Sequence, residues 1–197
     1  MEYELSFQLI TLLIGAGIFA GFINTIAGGG SMLSLPALMI LGMPADIANG
    51  TNRVGILLQS MAGARRFHQE GKLEPASIIP TLIPTLSGSL LGSLLASYLP
   101  VEFLKPALLM TMLIMAIIML IRPSIIAPPK GTAIYKLNER PMAWFGLFVA
   151  GIYGGFVQAG VGFILIAALA GGLRYDLVRS NALKMAITVP ITIVSLF

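Results

Sequence analysis

The sequence has no cysteine, a single histidine (His68) and only 10% charged residues. Without thiols there can be no disulfide, thiolate metal site or cysteine nucleophile, and one histidine is too few for a histidine-based metal or catalytic centre. An ordinary soluble domain carries roughly 25% charged residues. Eight acids and twelve bases over 197 positions are too few to cover a water-facing surface. A soluble globular enzyme is thereby excluded as the starting description. No basic region precedes the first apolar run, because Met1-Glu2-Tyr3-Glu4 is acidic, so that run reads as a membrane span rather than a cleaved leader. No lipidation box is present either, with no C-terminal cysteine and no Met-Gly start.

What the chain does hold is apolar sequence: 57% hydrophobic residues and a mean hydropathy of +0.93. Its net charge of +4 comes from bases clustered between apolar runs, which read as topology signals rather than a nucleic-acid face. A spanning helix needs about 20 mostly apolar residues. Residues 5–27, 47–67, 76–99, 104–122, 142–160 and 177–197 qualify, so the fold class is an all-α polytopic membrane protein. Two shorter pieces, 31–43 and 161–173, predict half-helices or re-entrant elements. Pro36, Pro80, Pro84 and Pro190 interrupt apolar runs and predict bent helices. Phe197 falls within an apolar run with no polar flank, which reads as a truncated end.

The polar interval 122–141, with four bases against one acid and adjacent prolines, separates two halves. The expected organisation is a first transmembrane repeat over 1–122, a basic cytoplasmic loop over 123–141 and a second, shortened repeat over 142–197. An internal match supports it. Gly17-Ile-Phe-Ala-Gly-Phe-Ile-Asn24 parallels Gly151-Ile-Tyr-Gly-Gly-Phe-Val-Gln158. Each is followed by a Gly-rich turn, a short apolar piece, a loop with an aspartate (Asp46, Asp176) and a polar cluster, with four residues inserted in the first copy.

Charge sets the orientation. With the N-terminus outside and both short pieces crossing, Arg65, Arg66, Lys72, Arg122, Lys130, Lys136, Arg140, Arg174 and Arg179 fall inside and only Lys105 outside. With re-entrant short pieces and the N-terminus inside, the ratio falls to seven against three. The positive-inside rule favours the first arrangement, in which the repeats are inverted about an axis in the membrane plane, with broken or short helices near the midplane.

The most specific local signal is Asn24-Thr-Ile-Ala-Gly-Gly-Gly-Ser31. Three glycines, each costing about 1 kcal/mol in a helix interior, break the run and expose backbone N–H groups to an anion. Gly28, Gly29, Gly30 and Ser31, the last also a suitable N-cap, are candidate substrate ligands with Asn24. Close helix packing or a simple turn is the alternative. Gln158-Ala-Gly-Val-Gly162 is the weaker counterpart. Arg53 and Lys184 lie a few residues into spans at nearly matching repeat positions, and two interior cations without an acid point to an anionic substrate. Snorkelling to the interface is the alternative, most of all for Lys184. Asn49, Thr51, Asn52 and Asn181 offer neutral hydrogen bonds, although helix capping explains Asn49 and Thr51 equally well.

Several features read as structural: the small-residue stripe Gly88, Gly92 and Ala96; Met110, Met112, Met115 and Met119 as filler; His68 as a solvated loop residue; Trp144 as an interfacial anchor; and Asp46 and Asp176 as caps, with proton coupling the alternative for the two aspartates. No metal, catalytic residue or cofactor is expected.

The stretch GFINTIAGGGSMLSLPALMILGMPADIANGTNRVG, the basic ARRFHQEGKL loop and the second-half GGFVQAGVGFILIAAL with DLVRSNALK resemble the TauE/SafE-type sulfite exporter family of bacterial membrane transporters. The resemblance covers both halves. It implies two homologous halves moving sulfite, sulfonates or related small anions across the cytoplasmic membrane, and about two further spans beyond this chain. It places roles on Asn24, Gly28, Gly29, Gly30, Ser31, Gln158, Asn181 and Lys184. The expected function is a secondary transporter exporting a small anion by alternating access. The rivals are a passive anion channel and a membrane protein of structural or enzymatic role; the last is disfavoured because the interior offers no histidine, cysteine or paired carboxylate. The expected partners are the anion and the lipid bilayer, with no nucleic acid; a coupling proton or other ion, and the oligomeric state, stay open.

Overall fold

The computed structural model describes residues 7–26, 28–98, 100, 102–103, 105–106, 109–110, 113–114, 117 and 134–196. Among them there is no strand. The helices are α1 (Phe7–Ile26), α2 (Ser31–Ile40), α3 (Ala45–Gln69), α4 (Pro75–Tyr98), α5 (Pro141–Phe156), α6 (Val161–Ile166) and α7 (Leu177–Val194). A π-helical turn, Ala167–Gly172, extends α6, and a 3-10 turn, Leu137–Glu139, precedes α5. Of these, α4 and α7 are long and apolar enough to cross a bilayer. Most of the expected connecting loop, with Arg122 and Lys130, lies outside the described residues, as do Met112, Met115, Met119 and Phe197.

Local chemistry sets the boundaries. Pro75 and Pro141 open α4 and α5, where a missing N–H costs nothing. Asp176 caps α7 by accepting from the Arg179 N–H at 3.0 Å. Asp46 does not cap: it lies inside the first turn of α3, whose N-cap is Pro44. Ser31 is not an N-cap either, because Gly30 holds that position and Ser31 begins the helix. Asn49 and Thr51 sit inside α3, which removes capping as their explanation. His68 occupies the exposed last turn of α3 rather than a loop.

Two helix pairs are hairpins. In the second, Gly154 faces Val161, Gly146 faces Ala168 and Gly172 faces Ala143, so α6 and its π turn return alongside α5. The Tyr135 N–H donates to the Leu173 carbonyl at 3.0 Å, and Ser77 at the start of α4 meets the Tyr175 hydroxyl at 2.8 Å. The hairpin therefore opens at the end where α3 passes into α4. Arg65, Arg66, Lys72, Lys136, Arg140, Arg174 and Arg179 gather at that end, while Lys105 follows the opposite end of α4. Arg140 stacks 3.9 Å over the Tyr135 ring, and Arg174, then Arg140, hold the Tyr135 phenol below its ordinary pKa by hydrogen bonding to it.

The α1–α2 hairpin opens at the other end, where α3 begins and α7 finishes. Helix α7 runs through the middle of the molecule and antiparallel to α3, with Gly63 against Met185 and Arg53 against Ser195. Helices α4 and α5 are parallel and nearly in backbone contact. A Cβ on Gly88 or Gly92 would fall on the Phe148 or Ile152 carbonyl oxygen, and one on Gly151 or Gly155 on that of Thr85 or Ser89. Gly88 and Gly92 are thus packing residues, the usual service of small residues between membrane helices. The outer faces of α1 and α4 expose Ile18, Phe19, Phe22, Ile79, Ile83 and Leu95, which suits a lipid solvent. Trp144 is exposed and stacks on Phe148 near the basic end.

Candidate functional site

The tips of the two hairpins meet. Gly28 has φ +92°, and an added Cβ there would lie 2.6–2.7 Å from the backbone of Gly162; one on Gly162 would lie 2.5 Å from Gly28 Cα and O. These are equivalent positions of the internal match, four residues beyond Asn24 and Gln158. Gly160 (φ +79°) turns the second tip, and Gln158 beside it adopts φ 64°, a left-handed conformation that a long side chain rarely takes. A residue held off its preferred conformation at such a junction is over-determined by its surroundings. Gly29 leaves room for the Phe163 ring, and Gly30 lies against the Ala20 carbonyl. Ser31 joins the tips by accepting from the Gly160 N–H at 3.3 Å. Gly162→Ala should destabilise the protein by about 1–3 kcal/mol, because the obstruction is backbone rather than a movable side chain. A thermal midpoint unchanged in detergent would show that the tips are not in contact.

Breaking a helix in a membrane leaves its last carbonyls without partners, and the carbonyl end of a helix attracts cations. The two interior cations occupy those places. Arg53 of α3 donates to Gly155 O (2.8 Å) and Phe156 O (3.2 Å), where α5 ends, and to Ser195 O (2.7 Å), where α7 ends. Lys184 of α7 donates to Asn24 O (2.6 Å) in the last turn of α1 and to Asn181 Oδ1 (2.7 Å). Asn181 Nδ2 donates in turn to Ile26 O at 3.0 Å. Each half thus supplies the cation that closes the other half's broken helix. Both cations are buried, and neither has a carboxylate partner among the described residues.

A buried cavity of about 10 Å³ lies at the tips, lined by Asn24, Ser31, Ser60, Gln158, Lys184 and Thr188 among others. Beside it, a cleft of about 420 Å³ between α1, α2 and α3 has mostly apolar walls and contains Gly30, Ser34, Thr51, Asn52 and Gln59. Ser31 and Ile56 line both. Of the eleven residues singled out in the sequence, Asn24, Ser31, Gln158 and Lys184 converge on the cavity, and Gly30, Thr51 and Asn52 on the cleft. Gly28 and Gly29 form the first tip. Arg53 and Asn181 are engaged with carbonyls outside both spaces. Asn49, adjacent on α3, is buried with Oδ1 unpartnered.

Residues 13–197 match the family model described as Sulfite exporter TauE/SafE. The chain belongs to this family. Its TauE/SafE membership makes it a membrane protein, in agreement with the motif resemblance and the lipid-suited outer faces. It is similar to a Probable membrane transporter protein of Haemophilus influenzae, 43% identical over 61 residues, which are 31% of this chain and 22% of that protein. It is also similar to the Probable membrane transporter protein ORF9 of a Sinorhizobium species, 42% identical over 69 residues (33% and 26%). A third relative is the Probable membrane transporter protein YfcA of Escherichia coli K12, 46% identical over 52 residues (24% and 19%). The chain therefore matches only about a fifth to a quarter of each relative's length. No solved structure matches it.

Four residues of this TauE/SafE chain escape a sequence reading. Gln59 on α3 donates to Gly21 O at 2.6 Å and to Thr25 Oγ1, and accepts from Asn24 Nδ2 at 2.9 Å, tying α3 to α1. Ser60 is fully buried with an unpartnered hydroxyl. Thr188 and Thr192 follow Lys184 at four-residue intervals, a one-face helical pattern that could have flagged them.

Proposed function

We propose that the chain is the core of a secondary transporter that exports a small anion, such as sulfite or a sulfonate, by alternating access at a midplane site. The observation that carries this reading is the meeting of two hairpins, entering from opposite ends, on a buried polar cavity that contains Lys184. Tip-to-tip broken helices with a site between them are the plan of inverted-repeat carriers. The apolar cleft beside the cavity, with a few polar groups, is of ligand-binding size. The repeats are 1–122 and 142–197, joined by the loop 123–141. The gathering of seven bases at one end supports an orientation with that end in the cytoplasm of a bacterial inner membrane and the N-terminus outside. The candidate ligands are Asn24, Gly28, Gly29, Gly30, Ser31, Thr51, Asn52, Gln158 and Lys184, with Asn181, whose amide is spent on the Ile26 and Leu177 carbonyls, holding Lys184 in place. Arg53 belongs to the site as a tether, since its guanidinium is spent on three carbonyls.

Uptake of labelled sulfite into proteoliposomes made from the full-length protein tests the reading. Saturable uptake, accelerated by sulfite loaded on the opposite side, is expected. Unsaturable flux without counterflow would make the protein a channel, and no flux of any small anion through folded protein would overturn the proposal.

A further inference from the structure

We infer that the transported anion carries its own hydrogen-bond donor, an O–H or N–H beside the charged group, and that Gln158 reads it. This rests on the transport reading above and names the substrate class for the same site.

The hydrogen bonds along α7 leave no freedom at Gln158. Thr188 Oγ1 donates to Lys184 O and Thr192 Oγ1 donates to Thr188 O, both at 2.7 Å, so each hydroxyl proton is committed. Thr192 Oγ1 can therefore only accept from its other neighbour, which fixes Gln158 Nε2 as the atom facing it, at 2.5 Å. Gln158 Oε1 is left as an acceptor with no donor on a residue that is 0% exposed and lines the cavity. A buried acceptor without a donor is unfavourable, and a fully deprotonated oxyanion would set another acceptor against it.

The rest of the cavity is suited to an anion's oxygens. Lys184 has a third ammonium proton beyond its two bonds, and Ser31 and Ser60 have hydroxyl protons with no assigned acceptor. Lys184 is the one titratable side chain among the described lining residues: α1 contributes Asn24, α2 Ser31, α3 Ile56 and Ser60, and the second tip Gln158. Its ammonium disfavours a metal cation there. Among the described residues, no carboxylate or histidine lines the cavity or the cleft to hold a transported proton. A monoanion that retains a proton, such as hydrogen sulfite, meets all these groups at once and brings its proton with it. The cavity's volume takes one hydroxyl-sized group, with the remainder of the anion directed at the shared Ser31 wall and the cleft.

Sulfamate and methanesulfonate test this without changing pH, since they are near-isosteric monoanions that differ in having N–H or C–H beside the sulfonate. Sulfamate should inhibit labelled sulfite uptake into proteoliposomes at a concentration at least about tenfold lower than methanesulfonate. Gln158→Met should bring the two within about twofold, mainly by improving methanesulfonate. Equal potency in the wild-type protein, or a preference for methanesulfonate, would overturn the inference while leaving anion transport standing. No labelled sulfite uptake in the absence of either compound would instead count against transport itself. The wild-type comparison stands even if the variant does not fold.

Discussion

Arg53→Met should cost the folded protein about 2–4 kcal/mol, because it strips three carbonyls at two helix ends of one buried, charge-assisted donor. Equilibrium unfolding in mixed ionic and non-ionic micelles measures this. Arg53→Lys should recover only part of the loss, since a compact ammonium cannot span carbonyls on α5 and α7 as a planar fork does. Transport should fall in proportion to the folded fraction. A variant as stable as the wild type that binds anion poorly would return Arg53 to the list of ligands. Both cations were candidate ligands by sequence because their acceptors are remote: Gly155 O is 102 residues from Arg53 and Ser195 O is 142.

Lys184→Met should reduce the transport rate by about 100-fold or more while leaving enough folded protein to assay. Lys184 is the only cation among the described residues that line the cavity, so its loss removes the charge that the anion meets as well as the donor to Asn24 O. Asn181→Ala supplies the contrast. It takes away one Lys184 partner and the bond to Ile26 O but keeps the ammonium, and transport should stay within about tenfold of the wild type. Counterflow of labelled sulfite compares the two. If both variants lose the same small factor, the role of Lys184 is confined to holding α1.

Much of this arrangement is legible in the chain. Runs of the right length mark the helices, and glycines after Asn24 and Gln158 mark the breaks, because a helix interior tolerates neither three consecutive glycines nor a left-handed Gly160. The small-residue spacing of Gly88 and Gly92 marks a close helix pair. Contacts that cross the molecule leave no local trace. Gln59 and Ser60 are an adjacent polar pair in the otherwise apolar stretch 54–64 of α3, a pattern shared by many solvent-free positions without function. Ser31 looks like a cap because it follows a glycine turn, yet its hydroxyl is drawn across to Gly160 in the other half. The π turn after α6 has no signature beyond Gly171 and Gly172.

The exchange of helix-end partners between halves bears on biosynthesis. When the first hairpin leaves the ribosome, the acceptor at Asn24 has to wait for a lysine 160 residues further along the chain. The Gly155 and Phe156 carbonyls, by contrast, find Arg53 already made. Assembly is therefore lopsided in time: the early half carries open carbonyls at the end of α1 until α7 brings Lys184 and Asn181 to them. A chain that stops before α7 leaves the Asn24 and Ile26 carbonyls without these donors.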